Sequence, residues 1–254
     1  MMMKHLTPPW KQRLIRPLFR PHTKSPSSDQ GLTLIEGLVA ILIISAVTTA
    51  ITPMMFLSVA TRVQNRRAEQ AVQLAHGQID QVRVLIDQGL NSEEVIERQL
   101  PPLVPDVQSV RDVGPPTGAG NRILSTNSSC PNRLPDLGTL SGYQEAFPVD
   151  VSGDCETEFY VQIFRTNEVT AIRPDTGLQV PIVFRMGVRV YYRNARPNFG
   201  NLETEEASLI MTTGEGQQTR RPLAALYSVM AQGDTRLSLD RYRCFVDPDL
   251  PGCS

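Results

Sequence analysis

Glu36 stands in the stretch GLTLIEGLVAI (positions 31–41), at the entrance of a run that carries no charged residue from Gly37 to Thr61. An ionised carboxylate inside hydrocarbon costs on the order of a few kcal/mol, so a chain that places one there has a use for it. In the first turn of a helix the carboxylate is favoured by the helix dipole. Within lipid it needs a cation, either a nearby amine of its own chain or one from another subunit.

The other residues with chemical potential are few. Cys130, Cys155, Cys244 and Cys253 all lie beyond the apolar run. An even count in an exported domain reads as disulfides, and proximity along the chain favours Cys130–Cys155 and Cys244–Cys253 among the three connectivities. Zinc is disfavoured, because no C-x-x-C pair occurs and His76 is the only histidine beyond the first thirty residues. Any Ser-His-Asp or Cys-His arrangement would have to use that same His76. GEGQQ (214–218) lacks the Gly-Lys-Ser/Thr ending of a phosphate loop and reads as a hairpin turn. Asp247 and Asp249 supply too few oxygens for calcium, and the sequon NSS at 127–129 carries little weight. The expectation is a non-enzymatic chain without cofactor or metal.

The 254 residues hold 25 basic and 26 acidic side chains, and the near-balance conceals an asymmetry. Positions 1–30 carry Lys4, Lys11, Arg13, Arg16, Arg20 and Lys24 against Asp29 alone, so the rest has about six more acids than bases. A basic head before an apolar run places that head in the cytoplasm, and the acidic remainder argues against nucleic acid as a ligand. As a helix the uncharged run is roughly 37 Å long, enough for a hydrocarbon core of about 30 Å. Pro53 within it removes one backbone bond and predicts a kink.

Past the run, Val59, Val63, Ala71, Ala75, Ile79, Val82 and Ile86 recur at helical spacing, with Gly89 as the C-cap. This predicts one helix of about 55 residues, half in lipid and half amphipathic. Arg62, Arg66, Arg67 and Glu69 face water or headgroups, and the arginine cluster reads as a solvated helix face. A short capped helix is expected between Asn91 and Leu100, and PPLVPDVQSVRDVGPPTGAG then reads as an extended connector. Period-two patterns follow at 158–164, 180–193, 208–213 and 222–231. The fold class is therefore α+β, a long N-terminal α-spine packed on a small antiparallel sheet of about four strands. The tail CFVDPDLPGC reads as a disulfide-closed loop.

The stretch GLTLIEGLVAI, with its following apolar run, resembles the class III signal of type IV pilins and pseudopilins. The resemblance covers about positions 25 to 60. It implies cleavage after Gly31 by a membrane-embedded prepilin peptidase, N-methylation of Leu32 (where Phe is commoner), and pairing of Glu36 with a neighbouring subunit's terminal amine. Pro53 falls where such proteins commonly carry a helix-kinking proline. The stretch SVATRVQNRRAEQAVQLAHGQIDQVR and the later RPLAALYSVMAQGD are similar to cyanobacterial minor pseudopilins tied to hormogonium polysaccharide secretion.

The implied organisation is a cleaved cytoplasmic leader (1–31), a transmembrane and assembly half-helix (32–59), an amphipathic and a short helix (60–100), and a β-rich periplasmic or extracellular domain (101–254). The implied function is a minor pilin or pseudopilin of a type IV pilus-like or type II-like secretion machine, supporting polysaccharide secretion and surface motility. Its partners would be the prepilin peptidase, other pilins, the inner-membrane assembly platform and membrane lipid. The implied location is the inner membrane, single-pass with the N-terminus in the cytoplasm, and then a pilus or pseudopilus. Two other readings stand beside it. One is a single-pass periplasmic binding protein that never joins a filament. The other is a secreted protein cut after Ser58–Ala60, although its apolar run is about twice a normal signal core.

Overall fold

The computed structural model describes residues 33–90, 92–135, 137, 140–172, 177–208, 214–233 and 242–247. The chain divides into two compact units, one ending at Pro53 and the other beginning at Met54. The helix α1, Leu34–Gln88, is 55 residues long, as the sequence pattern predicts. Gly89 ends it at φ 86°, its N–H donating to the Ile86 carbonyl at 3.1 Å, a backbone conformation that suits glycine. The short helix α2, Glu93–Gln99, starts at Ser92, whose hydroxyl accepts the Val95 N–H at 3.3 Å.

The sheet has six strands: β1 (Gly118–Ala119), β2 (Leu124–Ser125), β3 (Glu145–Asp150), β4 (Phe159–Ile172), β5 (Gln179–Tyr192) and β6 (Ala224–Ala231). Strands β3, β4, β5 and β6 form an antiparallel meander, while the two-residue β1 and β2 pair with β3 in parallel. The sheet is thus mixed rather than purely antiparallel. Strand β3, EAFPVD, escaped the sequence reading because Pro148 and its flanking acids break the alternation. In the predicted 208–213 strand only Ser208 is described, and it lies outside any strand. GEGQQ is not a hairpin turn: Gly214–Gln217 forms the short helix α3.

Alternation along β4 and β5 decides the layering. On one face Phe159, Val161 and Ile163 of β4 join Ile182, Phe184, Met186, Val188 and Val190 of β5, packed with Ala71, Ala75, Ile79, Val82 and Ile86 of α1. The two alanines, fully buried, let the helix backbone approach the sheet closely. Two buried glutamines, Gln64 and Gln78, complete the stripe. Val59 and Val63 do not belong to it, since both are exposed; the buried side begins at Gln64.

The opposite face is covered as well. Val104, Val110 and Val113 of the proline-rich connector pack on Phe164, so that segment is a structural layer rather than an extended strap. Gly187 sits opposite Phe164 in the β4–β5 register, and a Cβ there would lie 2.5 Å from the Phe164 ring. Arg165 and Glu168 form a largely buried ion pair at 2.6 Å. Burial pulls the Arg165 guanidinium below its ordinary range, partly offset by Glu168.

Candidate membrane-anchoring segment and its supports

Gly31 and Leu32 lie outside the described residues. From Thr33 the geometry is defined. The Glu36 N–H reaches the Thr33 carbonyl at 3.0 Å and its hydroxyl at 3.4 Å. Thr33 is therefore the N-cap of α1 and Glu36 its third residue, the T-x-x-E spacing of a capping box. That signal was present in TLIE and was missed beside the larger question of the buried charge. The Glu36 side chain is exposed and meets no cation among the described residues.

Beyond Glu36 the helix is apolar on every side. Leu38, Ile41, Leu42, Ile43, Ile44, Val47 and Ile51 are all exposed. An 18-residue window of α1 reaches a mean hydropathy of 2.3 with none of it buried, so this one helix is long and apolar enough to span a membrane. Exposed apolar surface on that scale is foreign to a soluble monomer.

The hydroxyls between Ser45 and Thr52 are satisfied within the helix. Ser45, Thr48, Thr49 and Thr52 each donate to the carbonyl four residues back, at 2.7–2.9 Å. Thr49 also reaches the Ala46 carbonyl at 3.0 Å. Pro53 lies inside the helix without ending it, although the Thr49 carbonyl loses its amide donor there. Hydroxyls bound back to the helix are the cheapest way to carry such groups through hydrocarbon.

The supporting head holds two polar clusters. In the first, Cys130 and Cys155 are joined by a disulfide across a sequence separation of 25. Beside it the buried Asp150 accepts from the Ser125 hydroxyl at 2.7 Å and from the N–H groups of Gly153 and Cys155 at 2.7 and 2.8 Å. Burial alone would raise the Asp150 pKa, but these bonds together outweigh it and hold the carboxyl below its usual range. Cys130, Asp150 and Cys155 bring three potential ligand atoms within 4.8 Å. Two are bridged sulfurs rather than thiolates, so the cluster is not built for a metal. Asn127 of the sequon donates to the Gly153 carbonyl at 2.9 Å and is part of the same turn. Cys244 is disulfide-bonded. Cys253, its expected partner, and Asp249 lie outside the described residues.

The second cluster is centred on Arg189, which is fully buried. Its guanidinium donates to the carbonyls of Val113, Gly114 and Arg111 at 2.7, 3.1 and 3.2 Å, to Gln162 at 3.3 Å and to the Tyr227 hydroxyl at 3.1 Å. These bonds clamp the connector to the back of the sheet. Sequence reading missed it because an arginine in a half-buried strand is ordinarily the solvent side of the alternation. Nearby, burial drives the Tyr191 hydroxyl far above its ordinary range while it donates to the Glu203 carbonyl at 2.9 Å.

His76 is exposed on α1. A long N-terminal apolar helix whose second half packs on a small sheet is consistent with a pilin-like fold. Compared with protein-family models, with curated proteins and with solved structures, the chain matches none.

Proposed function

We propose that the chain is a minor pilin or pseudopilin, a non-enzymatic subunit anchored in the cytoplasmic membrane and incorporated into a type IV pilus-like or type II-like secretion filament. The observation that carries the proposal is the pairing of one exposed, all-apolar half-helix with a single carboxylate, Glu36, held at its capped start without a cation among the described residues. A membrane anchor alone has no use for that charge. A subunit that must dock at one depth beside its neighbours does, because misregistered copies leave the carboxylate unpaired in a low dielectric. Support for polysaccharide secretion and motility rests on the resemblance alone and belongs to this proposal.

The decisive experiment is the N-terminus and intact mass of the protein purified from its own membranes. A methylated Leu32 supports the pilin pathway. Thr61 at the N-terminus indicates a conventional signal peptide, and an intact Met start leaves a single-pass anchor. Glu36→Val is expected to preserve processing while reducing incorporation at least tenfold, scored by cysteine crosslinking near position 36. Unchanged crosslinking contradicts the pairing mechanism. The anchored-binding-protein reading draws on an open groove lined by Thr117, Ser141, Tyr143, Gln144 and Glu145. It predicts that no pilin-like partner is ever captured.

A further inference from the structure

We infer that α1 carries an anionic-lipid site where it leaves the membrane, formed by Arg62, Arg66 and Arg67 with Arg193 of the head. The inference rests on reading the first half of α1 as a membrane span.

Arg62 and Arg66 are four residues apart, so they share one helix face, and both are exposed. Arg67 lies one step round, with its guanidinium 4.5 Å from the centre of the Tyr192 ring. Arg193 approaches the same ring at 5.9 Å. Folding thus brings a guanidinium distant in sequence to the same ring as Arg67, next to the helix face of Arg62 and Arg66. None of the four forms an ion pair among the described residues. Glu69 is exposed and unpaired with them, and the Glu158 carboxylate is held by the N–H groups of Val151 and Ser152 at 2.9 and 3.0 Å. Like charges collected without a carboxylate between them favour an external anion. The cluster is therefore more than the solvated helix face that the sequence pattern suggests.

Its height along the helix selects the anion. Arg62 is the first charged residue after the uncharged run from Gly37 to Thr61, so it stands where the helix leaves the hydrocarbon core. That is the level of the headgroup phosphates. Helical side chains lean toward the N-terminus, so these arginines point back to the bilayer. Phe56 and Val59, exposed one to two turns earlier, belong to the uncharged run that precedes them. A planar guanidinium matches a phosphate in two-point contact. The proposed ligand is the headgroup of an anionic phospholipid.

The test uses the full-length protein reconstituted into vesicles of phosphatidylcholine with or without phosphatidylglycerol, and native mass spectrometry of the lipid it retains. Arg62→Gln/Arg66→Gln is the variant, since neither side chain packs in the head. Phosphatidylglycerol is expected to be retained over phosphatidylcholine at low salt, and the double variant is expected to lose roughly 30-fold of that preference, about fivefold for each arginine removed. Equal retention of both lipids by the unaltered protein overturns the inference while leaving the membrane span intact. Failure to insert into phosphatidylcholine vesicles overturns the span and the inference together. Displacement of the retained lipid by a few millimolar inorganic phosphate overturns the lipid as the source of the anion. A variant that keeps its lipid preference but loses crosslinks from α1 to another subunit assigns the arginines to a protein carboxylate instead.

Discussion

The two halves of α1 share a backbone conformation and differ in what surrounds them. From Leu34 to Met55 every large apolar side chain is exposed. From Gln64 to Ile86 a single stripe is buried, with spacings of three and four residues, against strands β4 and β5. The first half has no cover from its own chain among the described residues, whereas the second half is sheltered by it. A helix that is hydrophobic all round and one with a single apolar stripe are solutions to two different environments. The residues between Phe56 and Arg67 mark the change, and the arginines gather there.

That contrast can be broken from either side. An arginine at Ala75, where the helix backbone meets the sheet with no room left, should cost more than about 4–5 kcal/mol. It should abolish the cooperative melt of the head in detergent while membrane extraction stays unchanged. Next in size, Arg189→Met strips donors from three carbonyls and the Tyr227 hydroxyl, and should cost about 3–5 kcal/mol. A melting temperature within a degree or two of the original would show that the connector holds without its clamp.

Arginine at Ile43 is the counterpart of the Ala75 change. It should raise the insertion cost by about 3 kcal/mol, releasing protein on alkaline extraction while the head melts normally. Reducing the Cys130–Cys155 bridge, or Cys130→Ser/Cys155→Ser, should cost about 2–4 kcal/mol in the chain-entropy account. The smallest effect concerns acid. The folded Asp150 pKa lies below its unfolded value near 4, so its contribution is complete above that pH and is lost as pH falls through the folded value. Asp150→Asn should flatten the acid limb of the stability curve below about pH 4. An identical limb in the variant would remove Asp150 from the account.

The long helix, its Gly89 end, the α2 cap and the Cys130–Cys155 pairing were legible because each rests on local periodicity or proximity. The misreadings came from contacts distant in sequence. Val59 and Val63 fit the apolar period, yet the head begins to cover the helix only at Gln64. The GEGQQ segment carries turn residues, but Gly214–Gln217 closes into a helical turn. The connector's prolines signalled an open strap, while Val104, Val110 and Val113 found an apolar partner in Phe164. Nothing near position 189 announces that its arginine is buried, because the three carbonyls it meets lie about 75 to 78 residues earlier.

What the sequence by itself determined is the one-dimensional pattern: an uncharged run long enough for a bilayer, a single carboxylate at its entrance, and a helical period that outlasts the run. Those features depend on residue spacing along one continuous element, so no fold is needed to read them. Only the tertiary structure decided which face of the sheet the connector covers, that Arg189 clamps it there, and that Arg193 meets Arg67 at the Tyr192 ring. Each of these brings together groups far apart in the chain, and such meetings are fixed by packing and by the need to satisfy every buried polar atom rather than by local pattern.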